Sequence, residues 1–203
     1  YLDHAATTYV KKEVLDEMIP YFIRNFGNPS SVYKLGQDNK SAVELAKKRI
    51  AYAIGANADE IYFTAGGCEA DNWVLKGIAF ANKNRGNHII TTSIEHAAII
   101  NSCKFLETQG FEVTYLPVDE YGVIRLEDLE RAMRPDTILV SIMHTNNEIG
   151  SLQPIAEAGA LIKRFDKSIV FHVDAVQGYG KFRIFPKRMN IDLLSVSAHK
   201  IHG

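Results

Sequence analysis

The residues best suited to chemistry stand near the end of the chain, where the segment 192–196 runs into Ser197, His199 and Lys200. The segment is mostly apolar, which is typical of a buried strand. A lysine at the tip of such a strand loses hydration that favours its ammonium form, and the free amine can bond covalently to an aldehyde. The alternative is an ordinary strand that ends in a surface lysine, and the motif alone does not exclude it.

A second apolar segment, 169–173, is followed by Asp174 and Gln177. In enzymes that use pyridoxal 5′-phosphate (PLP), an acidic residue pairs with the pyridine nitrogen while a lysine binds the aldehyde. Asp174 and Lys200 are the residue types that this chemistry needs. They can serve one cofactor only if both segments are strands that end at the same edge of a sheet.

The remainder of the chain predicts such a sheet. Beyond about residue 60, short apolar segments alternate with amphipathic ones, which indicates an α/β fold with three α/β/α layers around a mostly parallel sheet. Pro20 should kink or divide the first helix. The predicted strands are 60–64, 88–92, 111–116, 137–142, 169–173 and 192–196, and the predicted helices are 10–26, 41–54, 66–84, 96–109, 126–133 and 154–165.

Residues that follow each strand are the candidates for a site, because ligands bind beyond the carboxyl ends of parallel strands. Gly67 and Cys68 open a helix after the first predicted strand, where glycine backbone and free N–H groups can bind a phosphate. Neither a Walker nor a dinucleotide fingerprint is present. A tight strand–helix turn without a ligand is the alternative.

Two further candidates follow the next strands in this sheet. His96 could stack on an aromatic ring, although a core or helix-capping role would serve structure alone. Asn147 could donate a hydrogen bond to a phenolic oxygen. With the residues above, the sheet edge would hold every part that PLP needs. Histidine and cysteine spacings typical of metal sites are absent, as is the signature of a Cys–His protease.

Composition narrows the class of protein. The chain has 203 residues, of which 46% are hydrophobic, and a net charge of −1. These values favour one large domain or two small ones, without the basic stripe typical of nucleic-acid binding. Two cysteines, no signal peptide and no long apolar run favour a cytoplasmic protein without a membrane segment. Because the chain begins at Tyr1 and stops soon after Lys200, we expect it to be part of a longer gene product.

Ordered motifs along the chain resemble those of the NifS/IscS-type cysteine desulfurases, in the class V aminotransferase family of fold-type I PLP enzymes. The resemblance spans essentially the whole chain. The matching motifs are YLDxxATT at 1–8, FGNPSS at 26–31, EADN at 69–72, GNHIITT at 86–92, EH at 95–96, NNEIG at 146–150, DAVQ at 174–177 and SxHK at 197–200.

This resemblance implies an architecture and a role for each candidate residue. It implies one aspartate-aminotransferase-like, PLP-binding large domain over 1–203 that lacks the C-terminal small domain, with 1–30 packing on that absent domain. Lys200 would bind the PLP aldehyde, Asp174 would pair with the ring nitrogen, and His96 would stack on the ring and assist proton transfer. The phenolate-oxygen side would be contacted by Gln177 and Asn147, and the phosphate by Gly67, Cys68, Ser197 and His199.

The implied reaction is the removal of sulfur from L-cysteine, which gives L-alanine and a protein-bound persulfide. The family further implies a homodimer and a sulfur-acceptor protein, such as an iron–sulfur scaffold. Other class V enzymes, namely a selenocysteine lyase or a transaminase, remain alternatives, as does a non-catalytic scaffold that keeps the fold.

The chain departs from the family pattern in two respects. Cys68 stands where the family usually has threonine, which replaces a strong hydroxyl donor with a weak thiol. The persulfide-forming cysteine of the family follows the lysine at a distance, as does a strand that inserts between 61–64 and 192–196. We therefore expect the isolated chain to be inactive, and we expect Cys103 to be a core residue rather than the sulfur acceptor.

Overall fold

The computed structural model describes residues 1–203, which form two compact units. One unit contains Tyr1–Phe63 together with Ala198–Gly203, and the other contains Thr64–Ser197. The first holds α1 (Lys12–Ile23), α2 (Lys34–Ile54) and short 3-10 turns at Ala58–Glu60 and Ala198–Lys200. The second holds α3 (Gly67–Ala81), β1 (His88–Thr92), α4 (Ala97–Thr108), β2 (Glu112–Leu116), α5 (Leu126–Ala132), β3 (Thr137–Met143), α6 (Ile155–Phe165), β4 (Val170–Asp174) and β5 (Leu193–Ser195).

The five strands of the second unit form one parallel sheet in the order β2-β1-β3-β4-β5. Helices cover both faces of this sheet, which confirms the predicted three-layer α/β/α architecture. Helices α3 and α4 pack on one face through residues such as Leu75, Ile99 and Leu106. Helices α5 and α6 pack on the other through residues such as Leu129 and Ile162.

Strand β4 shows how the sheet directs side chains toward the site. Successive side chains of a strand point to opposite faces. Phe171 and Val173 are fully buried in the core that contains α5 and α6. His172 and Asp174 therefore lie on the opposite face, which α3 and α4 cover. Asp174 ends the strand and is opposite Ser195 of β5 in the ladder.

The predicted strand 60–64 is wrong. Residues 61–64 form no strand, and the sheet does not include them. A strand is stable only when a neighbour accepts its backbone hydrogen bonds, and none of these 203 residues supplies that neighbour. No further strand pairs with the outer side of β5, which is therefore an edge of the sheet.

The helices of the first unit also differ from the prediction. Helix α1 continues through Pro20 instead of dividing there. Helix α2 begins seven residues earlier than the predicted residue 41, at Lys34. Tertiary contacts explain this earlier start. The Asn39 side chain donates to the carbonyl oxygens of Asn25 and Gly27, and a Cβ at Gly36 would approach the Asn28 carbonyl oxygen to 2.6 Å. A loop is thus held against the first turns of α2.

None of the helices combines the length and the apolar character that crossing a lipid bilayer requires.

Candidate active site

Helix α3 begins at a glycine pair that leaves its N-terminus accessible. Gly66 is the N-cap residue, and no side chain caps the helix. A Cβ atom at Gly66 would meet no other atom within 4 Å. A Cβ atom at Gly67 would approach Cγ2 of Val176 to 2.9 Å and Cβ of Ser197 to 3.7 Å. The first N–H groups of α3 therefore lie beside the Ser197 side chain, and only glycine at position 67 permits this approach.

Cys68 occupies the first turn of α3 and is exposed. Its carbonyl oxygen accepts a hydrogen bond of 2.8 Å from Nδ2 of Asn72, one helical turn later. The second cysteine, Cys103, is fully buried in the core between α4 and the sheet, and burial raises the pKa of its thiol to about 12. The two thiols therefore differ sharply in accessibility.

Asp174 and Gln177 lie just past the carboxyl end of β4. Both are buried, with exposures of 5% and 7%. Oδ1 of Asp174 accepts a hydrogen bond of 2.9 Å from the N–H of Val176, which fixes the carboxylate against the turn that follows the strand. Oε1 of Gln177 accepts a hydrogen bond of 3.2 Å from Nζ of Lys181.

His96 is the N-cap residue of α4, and its side chain is exposed. Nδ1 accepts a hydrogen bond of 3.1 Å from the N–H of Ala98. In the neutral ring the proton must therefore be carried by Nε2. The structural alternative considered above, helix capping, is thus present, and it leaves the imidazole face and Nε2 available for a ligand.

The loop after β3 is held by Asn146, the neighbour of the predicted site residue Asn147. Asn146 donates from Nδ2 to the carbonyl oxygen of Ile94 at 2.9 Å. Its Oδ1 accepts from the N–H groups of Glu148 and Ile149 at 2.9 and 3.0 Å. The neighbouring Asn147 is half-buried and lies on this fixed loop.

The other unit contains His199 and Lys200, which are linked to the beginning of the chain. Nζ of Lys200 donates to the carbonyl oxygens of Ala5 and, at 2.7 Å, Ala6. Nδ1 of His199 is 3.0 Å from Oγ1 of Thr7. The backbone oxygen of His199 accepts from the N–H and the hydroxyl of Thr8 at 2.8 and 2.9 Å. The predicted site residues are therefore divided, with seven in the unit Thr64–Ser197 and these two in the other.

A cluster of polar side chains that the sequence does not predict lies on the sheet face that carries Asp174. Asp71 of α3 and His172 of β4 have side chains that are 2% and 0% exposed. Nε2 of His172 is 2.9 Å from Oγ of Ser195 and 3.8 Å from Oδ1 of Asp71. Nδ1 of His172 is 2.9 Å from Oγ of Ser141. Two sequence signals could have found the cluster: the alternation of His172 with Asp174, and the four-residue spacing of Asp71 from Gly67.

Burial changes the protonation of this cluster. Burial and the charge of Asp174 raise the pKa of Asp71 to about 7, although a hydrogen bond with Ser195 favours the ionised form. Burial lowers the pKa of His172 to about 3, so the ring is neutral at physiological pH. Burial also raises the pKa of Glu95 to about 8, against hydrogen bonds from the Met143 N–H and the Thr92 hydroxyl.

The chain is similar to curated proteins that share one name. The cysteine desulfurase IscS of Clostridium botulinum (strain Kyoto / Type A2) is 58% identical over 203 residues, which are 100% of this chain and 51% of that protein. The cysteine desulfurase IscS of Methanosarcina thermophila is 56% identical over 203 residues, or 50% of that protein. The chain thus spans about half the length of the curated relatives it matches.

Solved structures agree with these relatives. A NifS-like protein matches with a TM-score of 0.97 and 42% identity, over 100% of this chain and 56% of that one. A structure described as SspA in complex with cysteine matches with a TM-score of 0.96 and 43% identity, over 100% of this chain and 58% of that one. The aminotransferase class-V family matches residues 1–203. This match covers the whole sequence, so the chain belongs to the aminotransferase class-V family.

Proposed function

We propose that this chain supplies the PLP-binding part of a cysteine desulfurase, which converts L-cysteine to L-alanine and passes the sulfur, as a persulfide, to an acceptor. The family and its IscS and NifS members depend on PLP. The observation that carries the proposal is the uncapped N-terminus of α3 beside Ser197, in the unit that also buries Asp174. The N-terminus of α3 can bind the phosphate of PLP, and Asp174 is the acid that the ring nitrogen requires.

The residues at the start of α3 fit the phosphate group of PLP. A helix N-terminus offers N–H donors and the positive end of the helix dipole to an anion. Gly66 leaves open space there, and Ser197 can add a hydroxyl donor. We assign Gly67, Cys68, Ser197 and His199 to the phosphate, and we call these four residues the phosphate seat.

The residues beyond β3 and β4 fit the ring. Asp174 is held by the Val176 N–H and offers a carboxylate to the ring nitrogen. Gln177 and Asn147 carry amide groups suited to the phenolate oxygen. His96 would cover the ring with its imidazole. Because Nδ1 of His96 accepts from Ala98, Nε2 is the atom at which this residue would hold or release a proton.

Lys200 is the amine that we assign to the cofactor aldehyde. PLP, when bound, supplies a conjugated ring that withdraws electrons from the substrate. Asp174 favours the protonated ring nitrogen and so increases that withdrawal. His96 and Lys200 are the groups of this chain that we assign to proton transfer at the substrate.

Finer aspects of the proposal follow the family. We propose that the complete protein is a cytoplasmic homodimer and that an iron–sulfur scaffold is one acceptor of its sulfur. We also propose that residues 1–203 act as one PLP-binding domain, in which 1–30 contacts a C-terminal small domain. The name IscS of the relatives supports the proposed role in iron–sulfur assembly.

A direct experiment tests this function in the full-length protein that contains the chain. PLP is added to the cofactor-free protein, and visible absorption is followed before and after addition of L-cysteine. We expect a new visible band, followed by release of L-alanine and, with a thiol reductant, sulfide in equal amounts. A band without any turnover of L-cysteine would contradict the desulfurase assignment, and turnover of L-selenocysteine or an amino-group acceptor alone would favour the other class V activities.

Cys68 provides an independent test of the phosphate seat. An exposed thiol at the start of α3 should react with a thiol reagent in the native protein, whereas the buried Cys103 should not. Bound PLP should slow the reaction of Cys68 by about tenfold or more, because it would cover the first turn of α3. The measurement is the rate of alkylation of each cysteine, located by peptide mass spectrometry.

Cys103 and a Cys68→Ser variant are the controls for this experiment. The variant should lose the fast-reacting thiol and should still bind PLP, since the backbone N–H of residue 68 remains. Equal alkylation of Cys68 with and without PLP would contradict its assignment to the phosphate.

A further inference from the structure

We propose that Asp71 is a positioning residue for Asp174, and that its charge sets the direction of the hydrogen bonds in the chain Asp71–Ser195–His172–Ser141. This inference rests on the proposed function, because it concerns the carboxylate that we assign to the ring nitrogen of PLP. It adds residues that the family resemblance did not place in the site.

Helix α3 aligns Asp71 with the phosphate seat. Residues spaced by four lie on one face of a helix. On this face Gly67 approaches Ser197, Oδ1 of Asp71 lies 3.8 Å from Nε2 of His172, and Leu75 is fully buried in the core. The same helix face thus carries the glycine of the seat and, one turn later, an acidic side chain that is 2% exposed.

Burial of an ionised carboxyl group costs free energy unless an opposite charge or hydrogen bonds compensate it. Asp71 has no lysine or arginine partner, and its Oδ1 atom has no hydrogen-bond partner. The groups that face it are Ser195 of β5, His172 and Asp174 of β4, and Glu95 of the loop after β1. Two of these neighbours are acids, so Asp71 lies in a cluster of three carboxyl groups.

The neutral ring of His172 links the two ends of the hydrogen-bond chain. A neutral imidazole has one donor nitrogen and one acceptor nitrogen. When Asp71 is ionised, Ser195 donates to it, Nε2–H of His172 donates to Ser195, and Ser141 donates to Nδ1. When Asp71 is protonated, it donates to Ser195, and each bond reverses so that Nδ1–H donates to Ser141. The protonation state of Asp71 therefore selects the tautomer of His172.

The same change acts on Asp174 through charge. An ionised Asp71 adds a negative charge close to the Asp174 carboxylate, and the two interact electrostatically. Additional negative charge favours retention of the proton on the ring nitrogen that Asp174 would contact. Asp71 would therefore keep that nitrogen protonated at a pH above about 7, where Asp71 itself becomes ionised.

The first experiment needs no PLP. The ¹⁵N signals of histidine are recorded in the full-length protein between about pH 5.5 and about pH 8.5, where the two neutral tautomers have different shifts. His172 is assigned from the loss of its signals in His172→Gln. We expect the Nδ1–H form below a midpoint at about 7 and the Nε2–H form above it. A tautomer that does not change with pH in the unmodified protein would overturn the proposal, whether or not any variant folds.

Variants identify the group that titrates. Asp71→Asn should give one His172 tautomer at every pH, and Ser195→Ala should uncouple His172 from Asp71. Asp38→Asn is the matched control, because Asp38 is an exposed residue of α2 whose loss removes the same charge. It should keep the pH dependence of the unmodified protein. The same pH dependence in Asp71→Asn would show that another group is responsible and would overturn the proposal.

The second experiment measures the effect on the cofactor. With ¹⁵N-labelled PLP bound, the signal of the ring nitrogen reports its protonation as the pH rises. In Asp71→Asn the ring nitrogen should lose its proton at a pH about one unit lower than in the unmodified protein, which is equivalent to about tenfold in proton affinity. An unchanged ring-nitrogen titration would overturn the positioning role even if His172 responds. Asp174→Asn tests the pairing itself: if it leaves the ring nitrogen unaffected, the proposed pairing fails, and this inference fails with it for a distinguishable reason.

Discussion

Replacing Lys200 with alanine in the full-length protein should abolish covalent attachment of PLP and lower L-cysteine turnover by roughly three orders of magnitude or more. The amine of Lys200 is the only group that we assign to the aldehyde, and no other residue can replace its carbon–nitrogen bond. Borohydride reduction of the loaded protein, followed by peptide mass spectrometry, should locate the cofactor on Lys200 and on no other lysine.

The Lys200→Ala variant should keep the local backbone structure, so a loss of activity can be attributed to the missing amine. Nζ of Lys200 donates to Ala5 and Ala6, so alanine removes contacts to two carbonyl oxygens while the backbone bonds between His199 and Thr8 remain. Lys187→Ala is the control, because Lys187 is exposed and should have no part in the reaction. It should retain full labelling and turnover. If Lys200→Ala still becomes labelled and turns over L-cysteine at the unmodified rate, the assignment of Lys200 is wrong.

The sequence predicted the sheet well because three of its strands, β1, β3 and β4, are almost wholly buried. Such strands are short, nearly continuous apolar segments that differ clearly from amphipathic helices. Five of the six predicted strands are confirmed, and no end is shifted by more than one residue. The exception, 60–64, has suitable residues but no neighbour to pair with, and pairing is not a property of one segment.

The start of helix α2 could not be predicted from the sequence because it depends on tertiary contacts. Gly36 and Asn39 are poor helix formers, so local preference delayed the predicted start of α2. In the fold, Gly36 admits the loop and Asn39 satisfies the loop's carbonyl groups. Local preference therefore lost to contacts between residues that are distant in the sequence.

Some residues of the candidate site could likewise be predicted from the sequence, and others could not. Residues at strand ends, such as Asp174 and Ser197, could be predicted because the fold class alone directs them to one edge of the sheet. His172 lies in the middle of an apolar segment, and Asp71 lies inside a helix, so neither stood out. Their importance depends on the register of β4 with β5 and on which face of α3 contacts the sheet.

Replacing Phe171 with alanine should lower the free energy of unfolding by about 3–5 kcal/mol, measured by urea denaturation of the full-length protein without PLP. Phe171 is fully buried in the central part of β4 and lies in the core formed with α5 and α6. Tyr121→Ala is the control, since the side chain is 74% exposed and its loss should cost less than about 1 kcal/mol.

The Phe171→Ala variant also tests whether a cavity on one face of β4 affects the hydrogen bonds of His172 on the other face. Phe171 and His172 are adjacent in sequence but face opposite sides of the sheet, so a cavity at Phe171 should open away from Asp71 and Ser195. Under conditions in which Phe171→Ala remains folded, the His172 tautomer should therefore keep the pH dependence of the unmodified protein. A cost no larger than that of Tyr121→Ala would contradict the placement of Phe171 in the core. A lost His172 response in the folded variant would show that the two faces are coupled.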